Sequence, residues 1–105
     1  MSYDYYPEDH DKDCPSLNVA NGNAHIPANI MGIVFGVYQV PFESLGAALD
    51  ALRELDPERH TRETEHPAAN VTLCGCPASQ IEWYKFQLAV IIGYCKAKKC
   101  ALRWG

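Results

Sequence analysis

The sequence has no apolar run long enough to cross a bilayer: the longest, Leu88 to Cys95 with Gly93 counted in, is under half of the roughly 20 residues a spanning helix needs. A membrane span is therefore not expected. It also lacks a glycine-rich phosphate loop, because Gly32 and Gly36 are followed by neither Lys-Ser nor Lys-Thr and match no dinucleotide fingerprint. Nucleotide binding has no motif behind it. The opening Met-Ser-Tyr-Asp-Tyr-Tyr carries neither a basic region nor an apolar core of the secretory type, so a cytoplasmic chain with reduced thiols is the expectation. Finally, acids are missing from Trp83 to Gly105, a stretch that holds five bases.

What is present fits one small domain: 105 residues, 48% hydrophobic and 21% charged. The net charge of −4 is unevenly spread. Residues 1–16 carry five acids against Lys12, and Glu43 to Glu65 carries seven acids against three bases, so the chain is a charge dipole along its length. An acidic total argues against a protein devoted to wrapping nucleic acid. Residues 1–16 mix acids, Pro7 and Pro15 with Tyr3, Tyr5 and Tyr6 and read as an irregular acidic arm, whose tyrosines are candidate partner contacts. Residues 17–105 then form a single α+β domain.

Three helices are expected, near 24–35, 42–55 and 79–98, with about three short strands near 17–20, 71–75 and 100–104. The first helix rests on Ile26, Ile30, Ile33 and Val34 sharing a face, with a strand through Ile30 to Val40 as its competitor. The second has Pro41 at its start and a stripe of Phe42, Leu45, Leu49 and Leu52. Between it and the last helix, Pro57 to Ala69 reads as a long charged loop. Ser79 and Glu82 form a capping box that opens the last helix.

That last helix has two apolar faces. Ile81, Tyr84, Leu88, Ile91, Ile92 and Cys95 make one stripe; Trp83, Phe86, Val90, Tyr94 and Ala97 make another nearly opposite, with Ala89 and Gly93 small between them. A small core needs only one of the two. The aromatic stripe Trp83, Phe86, Val90 and Tyr94 is the candidate partner-binding surface, either for another protein or for a second copy across a two-fold axis. The alternative is that the first two helices clasp it internally. Both chain ends are expected in the sheet.

Candidate chemistry is thinner. Cys74, Cys76, Cys95 and Cys100 give the count of a four-thiolate zinc site, with one and four residues between pairs where two to four are usual. Buried, unmodified thiols are the simpler reading, and no cofactor is expected beyond that zinc alternative. Cys76, next to Pro77 at the helix start, has the position of an activated thiol but no evident histidine partner beyond His66. Lys96, Lys98, Lys99 and Arg103 with Trp104 form a basic patch that either meets an acidic or nucleic-acid partner or simply complements the helix dipole.

Leu17 to Ala24, the Val40-Pro41 helix start and the closing Arg103-Trp104-Gly105 resemble small hypothetical proteins of bacteria and their phages. The resemblance implies no activity, only a small accessory protein of a phage or mobile element. The leading expectation is a non-enzymatic interaction protein, an inhibitor or adaptor such as an anti-defence protein, with no catalytic residues. A zinc-supported module with the basic C-terminal patch is the first alternative, and a thiol enzyme using Cys76 the second.

Overall fold

The computed structural model describes residues 2–9, 13–55 and 78–105. Their fold is α+β: three helices and a four-stranded antiparallel sheet. The strands are β1 (Ser2–Pro7), β2 (Leu17–Ala20), β3 (Gln39–Val40) and β4 (Leu102–Trp104), in the order β2-β1-β4-β3. Both chain ends are in the sheet as expected, but the N-terminal one enters as the central strand β1 rather than through the strand at 17–20, which is the edge strand β2. The expected strand at 71–75 lies outside the described residues.

Residues 1–16 are not an irregular arm throughout, because Ser2–Pro7 is a central strand. The reason is a period of two: Tyr3, Tyr5 and Pro7 turn toward the core while Ser2, Asp4 and Tyr6 turn outward. Strand β2 faces it with Leu17 and Val19, Tyr5 opposite Leu17 and Tyr3 opposite Val19. The outward Asp4 is no obstacle, since Asn18 Nδ2 donates to its Oδ1 at 2.7 Å. Pro7 ends the strand, where a missing N–H costs little.

Helix α1 (Ile26–Ile30) is much shorter than 24–35. Pro27 sits in its first turn, and Gly32 at φ +76 turns the chain out of the helix soon after Ile30. The competing long strand does not form either; after a tight turn at Phe35–Val37 and Tyr38 at φ 65, only Gln39–Val40 pairs. Helix α2 (Leu45–Glu54) follows a 3-10 turn at Phe42–Ser44, and Leu45, Ala48 and Leu52 are its buried positions.

Helix α3 (Ala78–Lys98) matches the expected span and lies across the structure, packing on α1, α2 and strands β1, β2 and β4. Its end is a Schellman turn: Cys100 N–H donates to Cys95 O at 3.0 Å and Lys99 N–H to Lys96 O at 3.3 Å, with Lys99 left-handed at φ 56. The core lies between helices and sheet, with Tyr5, Leu102 and Trp104 from the strands meeting Ile81, Leu88 and Ile92 from α3.

Candidate protein-docking face

The two apolar stripes of α3 have different fates. Ile81, Tyr84, Leu88, Ile91, Ile92 and Cys95 are all buried and seal the core. Opposite them, Trp83 is 53% exposed, Phe86 63% and Val90 43%. Helices α1 and α2 do not clasp this outer stripe. Tyr94, at its C-terminal end, is half-buried and carries the Lys98 ammonium 5.7 Å from its ring centroid.

Beside the stripe runs an open groove of about 750 Å³ between α2 and α3, with Leu49 and Leu52 on one wall and Phe86, Ala89 and Gly93 on the other. The small residues keep this wall low. A Cβ added at Gly93 would meet nothing within 4 Å. Arg53, Glu82 and Lys85 ring the groove, and Lys85 Nζ donates to Leu55 O at 2.8 Å, tying the end of α2 to α3. The groove therefore has an apolar floor and a charged margin.

The other expected contacts do not gather into one surface. Tyr5 is fully buried and cannot reach a partner: its hydroxyl donates to Ala24 O at 2.5 Å and accepts from Ala28 N–H at 3.2 Å. Burial pushes its phenol well above the usual tyrosine range. Tyr3 packs edge-on against Phe35 at 5.3 Å, and Tyr6 lies half-buried on the outer sheet face opposite Arg103.

The basic patch also divides. Lys96, Lys98 and Lys99 are exposed at the end of α3, where they complement the helix dipole. Arg103 instead stands on the outer sheet face, its Nη1 3.8 Å from Glu8 Oε2. Trp104 is buried, with Nε1 donating to Phe35 O at 2.9 Å, so the patch loses its aromatic member.

Cys74 and Cys76, and with them half of the four-cysteine set and the thiol-enzyme alternative, lie outside the described residues. Cys95 and Cys100 are buried free thiols, and Cys95 is pushed up to about 12 by burial and by its neighbour Cys100. At neutral pH that sulfur is a protonated core group, donating to Ala101 O at 3.5 Å. Among the described residues no three His, Cys, Asp or Glu side chains come together as a metal site.

Val34, Val37, Tyr38 and Phe42 are also exposed: Val34, expected on the apolar face of the first helix, lies beyond its end, and Phe42, expected in the stripe of the second, lies in the 3-10 turn before it. Val37 and Tyr38 belong to a run of strand formers, interrupted by Gly36, that has no period to say which residues face out. Among the described residues no helix is long and apolar enough to cross a membrane. No protein-family model, curated protein or solved structure matches this chain.

Proposed function

We propose that the chain is a non-enzymatic interaction domain, of the inhibitor or adaptor class, that docks a protein partner on the outer face of α3. The observation that carries this reading is the exposure of Trp83, Phe86 and Val90 on one stripe of a helix whose opposite stripe already completes the core. Leaving two aromatic rings in water forgoes burial that each would otherwise gain. Aromatic side chains beside a groove are the usual anchors of an interface. The buried thiol of Cys95 is a protonated core group rather than a nucleophile.

The test is capture with the immobilised full chain beside its Trp83→Ala/Phe86→Ala variant. A partner held by the first and lost by the second, with matching far-UV circular dichroism, supports the reading. Retention of the same proteins by both forms overturns it.

A further inference from the structure

We infer that the occupant of this face is a second copy of the chain, its α3 lying antiparallel to the first; the inference rests on the docking reading above and names its partner. The ground is that the outer face of α3 is complementary to itself when reversed. Three rows run along it at heptad spacing, the repeat by which two helices keep one seam in contact. Trp83, Val90 and Ala97 form one row, and Phe86 and Gly93 the second. Glu82, Ala89 and Lys96 form the third, on the flank toward α2, where Glu82 and Ala89 line the groove.

Reversing one helix about a two-fold axis level with the middle of the stripe pairs large residues with small. Each Trp83 then faces Gly93 of the partner subunit, where the helix presents open space rather than a side chain. Each Phe86 packs against Val90 of the partner subunit. A two-fold axis perpendicular to the helices keeps the third row on the same side in both copies, so each Glu82 faces Lys96 of the partner subunit. Glu82 and Lys96 are exposed, and neither has a charged partner among the described residues of its own chain. A parallel arrangement, its two-fold axis along the helices, would carry the two third rows to opposite flanks, leaving Glu82 and Lys96 without each other, and would set Trp83 against Trp83 and Gly93 against Gly93 instead of pairing large with small. The same stripe therefore specifies both its partner and the direction in which that partner lies.

Sedimentation equilibrium of the full chain, from micromolar to hundreds of micromolar, is the decisive measurement. The expected result is a mass rising with concentration from 11.7 kDa toward twice that value. Gly93→Leu fills the hole opposite Trp83 from an exposed helix position where the new Cβ meets nothing within 4 Å, so it should weaken the dimer about tenfold or more, as loss of an interface anchor does, while the unfolding temperature stays level or rises. Glu82→Lys and Lys96→Glu should each self-associate less than the wild type, and an equimolar mixture of the two should recover a dimer, because only the mixed pair restores both ion pairs. A monomer at all concentrations overturns the proposal, as does a dimer indifferent to Gly93→Leu and to the charge reversals. If the chain is monomeric while Trp83→Ala/Phe86→Ala still loses a captured partner, the self-pairing fails and the docking reading stands. If capture is also unaffected, both fall.

Discussion

The ring of Tyr5 stacks on the indole of Trp104, centroids 5.1 Å apart and planes 26° from parallel, so residues from opposite ends of the chain meet at the centre of the core. Each ring is also pinned by a hydrogen bond to a loop carbonyl, Tyr5 to Ala24 and Trp104 to Phe35. The pair ties together the two central strands, α1 and the turn before β3. Tyr5→Phe keeps the stack but leaves the Ala28 N–H and Ala24 carbonyl without their partner, which should cost about 1–3 kcal/mol. Trp104→Ala removes the ring itself and should cost about 3–5 kcal/mol. Urea unfolding of the two variants checks the order: a Tyr5→Phe loss as large as that of Trp104→Ala would mean the stack contributes little.

The Schellman turn that ends α3 places Lys99 in the left-handed region, where a side chain is strained and glycine is not. Lys99→Gly should therefore stabilise the domain by about 1 kcal/mol, the left-handed cost less the extra chain entropy of glycine. For a domain of this size that is a rise of about 4–8 °C in Tm, readable by calorimetry. A lower Tm would show that the lysine makes a compensating contact in this turn.

Alkaline pH should destabilise the fold through two buried groups. Tyr5 and Cys95 both have pKa values pushed up by burial, Cys95 to about 12. In the unfolded chain each releases its proton near its ordinary value, so above about pH 9 the unfolded state binds fewer protons than the native one and stability falls as pH rises. The contribution is fully present below that pH. Unfolding free energy should be flat in this respect from neutral pH to about 8.5 and decline beyond it. Cys95→Ala should make the decline shallower. The same burial predicts that a thiol reagent at neutral pH leaves native Cys95 unmodified and labels the half-buried Cys14 first among Cys14, Cys95 and Cys100.

These relationships explain which parts of the molecule could be read in advance. The strand at Leu17–Ala20 and the span of α3 were legible because each carries its own signal, a period of two or two stripes at helical spacing, within one segment. Strand β1 was not, since Tyr5 is a core residue only by virtue of β2, β4 and Trp104, all distant in sequence, and of the acids beside it Asp4 accepts from Asn18 and Glu8 meets Arg103. Helix α1 looked longer because Ile33 and Val34 continue its apolar face past Gly32, whose backbone ends the helix regardless of the pattern. At the candidate site the outer stripe of α3 was visible as surplus apolar surface. The inward turn of Trp104 was not, because basic neighbours made it resemble part of a surface patch.

Trp83 and Leu88 offer the sharpest contrast on a single helix. If the outer stripe is a surface for docking, Trp83→Ala removes a ring already 53% exposed and leaves no cavity, so it should cost the isolated chain well under the about 3–5 kcal/mol typical of a buried tryptophan. Leu88 is fully buried between helix and sheet, and Leu88→Ala should cost about 2–5 kcal/mol. Both should be measured by denaturant unfolding at a protein concentration low enough that self-association adds nothing to stability. Near-equal losses would mean that Trp83 is clasped within its own chain after all, and the outer face of α3 would then be core rather than interface.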